Sequence, residues 1–212
     1  MATDSTLPGL RQTHRERSRV AFVAYIDELS DAINPDLPAF ETERWNRRLT
    51  EVVVDRGTDT ATDFGRTVSA LIGRSRRFVP EFMDEWIGTV AENTAANLNQ
   101  SIEAAIMDAQ LGENPAEAVD EEIERHRAVR TAIWATTITV TFANFGAHEG
   151  ARASGQARKR WQVNSQNPRA SHAAMNGETV DLGDVFSNGL RWPGFPGEAS
   201  EVANCQCSLV FP

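Results

Sequence analysis

Apolar residues recur every three or four positions along much of the first 153 residues, which is the spacing of one face of an α-helix. The first apolar stripe consists of Phe22, Ile26, Leu29 and Ile33. Asn34-Pro35 and Leu37-Pro38 follow it. Proline disfavours helical geometry both in itself and in the residue before it. We therefore predict a helix from Val20 to Ile33 and a break after it.

Three longer helical segments are predicted downstream. The first covers residues 40–74, in which Gly57 and Gly65 mark the place where a kink or break is expected. The second begins at Pro80, a residue favoured in the first turn of a helix, and the third covers residues 116–153. The apolar positions that support these segments are Trp45, Leu49, Val52, Val53, Phe64, Val68, Leu71, Ile72, Trp86, Val90, Leu98, Ile102, Ile106, Val119, Ile123, Val129, Ile133, Trp134, Ile138 and Phe142.

The pattern changes at about Ser154, where helical periodicity ends and glycine and proline become frequent. Residues 178–182 and 208–211 have the composition of short strands. The predicted fold class is therefore mainly α, with an elongated helical bundle followed by a small, loop-rich α+β C-terminal domain. The predicted domains are a flexible polar N-terminal arm (1–19), the bundle (20–153) and the C-terminal domain (154–212).

Charge and composition narrow the function classes. The 212 residues carry a formal net charge of −9, and the excess of acid lies in residues 1–150. A chain of this charge is not steered as a whole toward nucleic acid. No run reaches the roughly 18 uninterrupted apolar residues that a membrane-spanning helix needs. We expect a protein without a membrane segment, and we interpret the apolar run from Ala132 to Gly146, which several threonines interrupt, as a buried helix.

The C-terminal domain holds an ordered series of short motifs. It contains a basic stretch ending in tryptophan, a turn with arginine and histidine, glycine turns, a Pro-Gly step and a closing Asn-Cys-Gln-Cys. The residues of this series are Trp161, Pro168, Arg169, His172, Gly177, Gly189, Pro193, Gly194, Asn204, Cys205 and Cys207. In this order they resemble the Mu-F-like minor head proteins of tailed phages, the head morphogenesis family, over roughly residues 130–212. Many members have an Asp between the Trp and the Arg, where this chain has Gln166-Asn167.

The resemblance implies a structural protein of the virion rather than an enzyme. Members of the family act in the capsid interior or at the portal vertex, after assembly in the host cytoplasm. The implied partners are the portal protein, the major capsid protein and the packaged DNA, with several copies around a symmetric ring. The implied roles are head assembly, DNA packaging and DNA delivery, without a required cofactor.

His172, Cys205 and Cys207 support an alternative hypothesis. Imidazole and thiolate groups are good zinc ligands, so these residues are candidates for a structural zinc site or for a metal-dependent nuclease or transferase. His148 and Asp181 are candidates for completing such a site. In the competing interpretation, His172 hydrogen-bonds to the backbone and the two thiols pack as small apolar groups in a tight turn.

Arginine clusters supply a third hypothesis, a nucleic-acid binding module. The clusters are Arg15, Arg17 and Arg19; Arg74, Arg76 and Arg77; and Arg158, Lys159 and Arg160. Each is a candidate contact for DNA phosphates or for the acidic wall of a portal ring. Solvated helix ends have the same composition.

Overall fold

The structure is a computed structural model that describes residues 6–33, 40–73, 78 and 80–212, without the side chains of Thr6, Phe82 and Ala199. The cluster of Arg74, Arg76 and Arg77 lies outside these residues, as does the start of the predicted N-terminal arm. The elements are α1 (Thr6–Ala32), α2 (Thr42–Ile72), α3 (Asp84–Gln110), α4 (Pro115–Arg125), α5 (Thr131–Ala153), β1 (Arg158–Gln162), α6 (Ala170–Ala174), β2 (Thr179–Asp181), α7 (Ala199–Val202) and β3 (Ser208–Val210). This order confirms the predicted mainly α fold class.

The prediction of a flexible arm over residues 1–19 is wrong for the part that the structure describes. Helix α1 begins at Thr6 and continues without interruption to Ala32. Its buried face continues from Phe22 toward the N-terminus through Ser18 and His14, which are four residues apart. Both side chains are almost fully buried. His14 Nε2 lies 3.0 Å from Asp63 Oδ2 in α2. The face was missed because polar residues occupy the helical spacing where apolar residues were sought.

Helices α2 and α5 cross with their backbones in contact. A Cβ atom added at Gly146 would lie 2.0 Å from the carbonyl oxygen of Ala61, and one added at Gly150 would lie 2.3 Å from that of Gly65. Helix α2 is continuous through Gly57 and Gly65, so neither glycine breaks it. These glycines instead allow close approach. Nearly all of α5 from Trp134 onward is buried, which makes it the central helix of the bundle.

The predicted helix over residues 116–153 is confirmed in extent but is not uniformly α-helical. A π-helical turn, His126–Arg130, joins α4 to α5. A 3₁₀ turn, Pro80–Met83, precedes α3, whose 27 residues extend for about 40 Å.

The C-terminal region contains a three-stranded antiparallel sheet in the order β2-β1-β3. Lys159 in β1 pairs with Val180 in β2, and Trp161 in β1 pairs with Leu209 in β3. The strands β2 and β3 lie within the two segments predicted from composition. The central strand β1 was not predicted, because its three consecutive basic residues, Arg158 to Arg160, lack the alternation of apolar and polar positions that indicates a strand.

The bundle and the sheet region share one hydrophobic core. Trp192 packs its ring 5.6 Å from that of Trp86 in α3 and 5.5 Å from that of Phe145 in α5. Asn144 in α5 donates hydrogen bonds to the carbonyls of Pro193 and Cys207 and accepts one from the Leu209 amide. The change in composition at residue 154 therefore does not coincide with a gap in packing. Among the described residues, no helix combines the length and hydropathy that crossing a membrane requires.

Candidate metal centre in the C-terminal region

His172 occupies a fixed position on α6, a helix of one turn. Arg169 has extended backbone geometry at the residue before this helix, and its guanidinium donates a hydrogen bond to the carbonyl of Ala203. The buried ring of Trp161 packs edge-on against the imidazole, with ring centroids 5.3 Å apart. The imidazole, only 2% exposed, is thus held between β1 and the segment that leads to the cysteines.

Cys205 and Cys207 flank the exposed Gln206 just before β3. Asn204, at φ 53°, turns the chain into this segment, and asparagine tolerates the left-handed region better than most residues. The Asn204 amide donates to Thr137 Oγ1 of α5 at 2.8 Å. Both cysteine side chains consequently point inward and are each 2% exposed.

The three side chains predicted from sequence as candidate ligands meet at one point. Nδ1 of His172 lies 3.7 Å from Cys205 Sγ and 3.5 Å from Cys207 Sγ. All three potential ligand atoms lie within 4.8 Å of one another. The group formed by the described residues contains neither His148 nor Asp181, the two candidates for completing it.

The other nitrogen of His172 has a carboxylate partner. Nε2 lies 3.1 Å from Glu201 Oε2, and the Ser171 hydroxyl donates to the same carboxylate at 3.1 Å. With Nε2 donating to this carboxylate, the other ring nitrogen, Nδ1, faces the two sulfur atoms. Glu201 was not among the predicted residues, because α7 has too short a sequence pattern to recognise.

The pKa values of the two thiols are shifted in opposite directions. The hydrogen bond to Cys207 and burial raise the pKa of Cys205. The same hydrogen bond lowers the pKa of Cys207, and the Trp161 indole and the charges of Arg11 and Arg169 add to that shift. The hydrogen bond with Cys205 raises the pKa of His172 against the effect of burial. The pocket therefore favours a thiolate at Cys207.

Arg11 is a functional neighbour that sequence reasoning missed. It belongs to α1, and its guanidinium carbon lies 5.9 Å from the centre of the Phe64 ring. Burial lowers the pKa of Arg11, and its electrostatic attraction to Cys205 and Cys207 opposes this effect. The α1 residues once assigned to a flexible arm thus place a positive charge close to the cysteines.

The remaining residues of the motif series form turns and packing contacts. Gly177, at φ 89°, donates its amide hydrogen to the carbonyl of Trp161, and Gly189 closes a turn on Phe186. Pro193 is buried, and Pro168 is half-buried. Gly194, at φ 78°, accepts a hydrogen bond from the Thr141 hydroxyl, and a Cβ there would lie 3.1 Å from the Thr141 backbone.

Of the predicted arginine contacts, those that the structure describes belong to α1 and β1. Arg17 and Arg19 are exposed on α1, whereas Arg15 is half-buried. Arg15 lines a groove of about 1360 Å³ between α1, the end of α2 and β3. In the third cluster, Arg158 is exposed, but Lys159 is fully buried and is therefore not a surface contact.

Comparison of the chain with protein-family models, with curated proteins and with solved structures gave no match.

Proposed function

We propose that this chain is a minor head protein of a tailed virus that docks on the portal or the inner shell and supports assembly, packaging or delivery of DNA. The observation that supports it is the ordered motif series from Trp161 to Cys207. Its members form the turns and the buried contacts of a single small sheet region. Because the motif residues form turns and packing contacts, they favour a protein that works by binding a partner rather than by catalysis.

Two surfaces suit docking on a protein ring. One is the groove beside α1, which combines Arg11 and Arg15 with apolar side chains such as Val68 and Phe211. The other is the tip of the bundle, where Leu111 is 87% exposed and Met107 of α3 is 48% exposed. Apolar groups at such exposed positions are available for burial against a partner.

The test is the abundance of this chain in purified virus particles, measured by quantitative mass spectrometry against the portal and major capsid proteins. A few to a few dozen copies per DNA-filled particle is the expected result. Presence only in empty precursors would identify an assembly factor that leaves before maturation. Absence from both kinds of particle would refute the proposal.

A metal-dependent nuclease or transferase is the second candidate, because the three residues that it requires do meet in the structure. Their burial argues against this second candidate, since a catalytic metal needs an open position that substrate can reach. Hydrolysis of a nucleic-acid substrate by the zinc-loaded protein, abolished in His172→Ala and retained in His148→Ala, would favour the enzyme.

A further inference from the structure

We propose that His172, Cys205 and Cys207 bind a zinc ion that fastens the segment before β3 to helix α6. This inference is independent of the proposed function, because a zinc site of this kind is measured on the isolated protein. It rests on the spacing of the three ligand atoms, on the partner of His172 and on the burial of the group.

The spacing matches the edges of a tetrahedral zinc site. Bond lengths of about 2.3 Å to sulfur and about 2.05 Å to nitrogen place a sulfur and a nitrogen about 3.6 Å apart at the tetrahedral angle. The two observed Sγ to Nδ1 distances are 3.7 and 3.5 Å. Two of the three edges of the group therefore have the length that a bound zinc ion requires.

Glu201 occupies the position of a supporting carboxylate. Histidines that bind metals usually donate their second ring nitrogen to a carboxylate or a carbonyl, which fixes the tautomer and the ring orientation. Here Nε2 faces Glu201 and Nδ1 faces the two thiols. The orientation of the imidazole is the one that metal binding requires.

A backbone donor lies beside the sulfur atoms. The Cys207 amide donates to Cys205 Sγ at 3.4 Å. The buried Nε1–H of Trp161 has no hydrogen-bond partner among the described residues. Zinc binds cysteine in its thiolate form, so the protons that the two thiols carry would pass to solvent when the ion binds. Two thiolates balance its charge of +2.

The donor set and the burial specify the type of site. One imidazole and two thiolates select zinc over magnesium or calcium, which prefer oxygen ligands. Within the described residues the group contains only these three ligands, so a donor outside this group must complete the tetrahedron. Each of the three residues is 2% exposed, which is typical of an ion that holds segments together.

The test measures the metal content of the full chain, produced with zinc in the medium and without a histidine tag. After gel filtration, elemental analysis is expected to find about one zinc per chain. Cobalt exchanged into the site is expected to give a tetrahedral absorption spectrum with a charge-transfer band of two thiolates. Folded wild-type protein that holds less than about a tenth of an equivalent of zinc, or holds stoichiometric copper instead, would overturn the proposal.

Matched variants separate a ligand set from ordinary packing. Cys205→Ser and Cys207→Ser are expected to lose zinc, and Glu201→Gln is expected to weaken binding about 10- to 100-fold in competition with a chromophoric chelator. The control is Glu149→Gln, because Glu149 Oε1 also lies 3.0 Å from a buried histidine, His148, but no thiol is present there. Equal effects of the two glutamine variants would contradict the assignment. If the serine variants fail to fold, the zinc content of the wild-type protein and its cobalt spectrum still test the proposal.

Discussion

Lys159 and His148 donate hydrogen bonds to the same atom, the main-chain carbonyl oxygen of Leu182. The lysine ammonium lies 2.8 Å from this oxygen and His148 Nε2 lies 3.0 Å from it. One donor belongs to β1 and the other to α5, so a single acceptor joins the sheet to the central helix. Lys159 is also fully buried, and its ammonium lies 5.4 Å from the centre of the Phe186 ring.

This buried lysine predicts a pH dependence of stability. Burial lowers the pKa of Lys159 to about 8, and the charge of Arg191 adds to the effect. In the unfolded chain a lysine titrates near 10.4, so between about pH 8 and 10.4 the unfolded state binds more protons and the free energy of unfolding rises with pH. We expect this rise, about 1–3 kcal/mol, to be absent from Lys159→Met. Urea melts of both proteins across this range give the measurement, and parallel pH profiles would contradict it.

Asn144 predicts a large loss of stability on truncation. Its buried amide serves two carbonyls and one amide hydrogen of the C-terminal region. Asn144→Ala leaves these groups unsatisfied and is expected to lower the free energy of unfolding by about 2–4 kcal/mol. Asn93→Ala is the control, because Asn93 is exposed and bonds only to Thr89 of its own helix. The comparison fails if the two variants melt at the same urea concentration.

The contact between α2 and α5 predicts opposite effects at two helical glycines. Gly146→Ala places a methyl group on the Ala61 carbonyl and is expected to cost more than about 2 kcal/mol, because the backbones must separate. Gly88 in α3 has nothing within 4 Å of an added Cβ, so Gly88→Ala is expected to stabilise by about 0.5–1 kcal/mol. Thermal unfolding of the two variants tests both signs. A stabilising Gly146→Ala would show that the helices are not in backbone contact.

The two C-terminal tryptophans are predicted to be core anchors. Trp161 is 0% exposed and Trp192 is 4% exposed. Replacement of either residue by alanine is expected to lower the free energy of unfolding by about 3–5 kcal/mol. Val129→Ala, at a position that is 54% exposed, is the control for a truncation at the surface. A loss below about 1 kcal/mol for a tryptophan variant would mean that the cavity collapses or that the ring is not enclosed.

The helical part of the fold was predictable because its burial follows apolar periodicity. Phe22, Ile26 and Leu29 are almost fully buried, as their spacing indicates. The periodicity fails at His14 and Ser18, where the buried face continues through side chains that are not apolar. It also fails at β1. Lys159 is buried because its ammonium donates a hydrogen bond to the carbonyl oxygen of Leu182, which is distant in sequence.

The three candidate ligands could be predicted from the sequence, but the residues that surround them could not. Histidine and cysteine are few in this chain, so His172, Cys205 and Cys207 stood out. Glu201 and Arg11 are among many charged residues, and only the folded chain brings them to the site. Long-range pairing of this kind is a property of tertiary structure, which local residue types do not encode.

The shared core also sets the order of events during synthesis. Leu7 of α1 and Phe211 beyond β3 pack against the same small cluster of buried residues, which includes Val68 and Ala151. Asn144 likewise forms hydrogen bonds with the carbonyl of Cys207 and the amide of Leu209, which are synthesised later. The contacts around Leu7 and Asn144 are therefore complete only when the residues around Leu209 have emerged from the ribosome. Until then, a nascent chain has its central helix partly uncovered and is open to capture by chaperones.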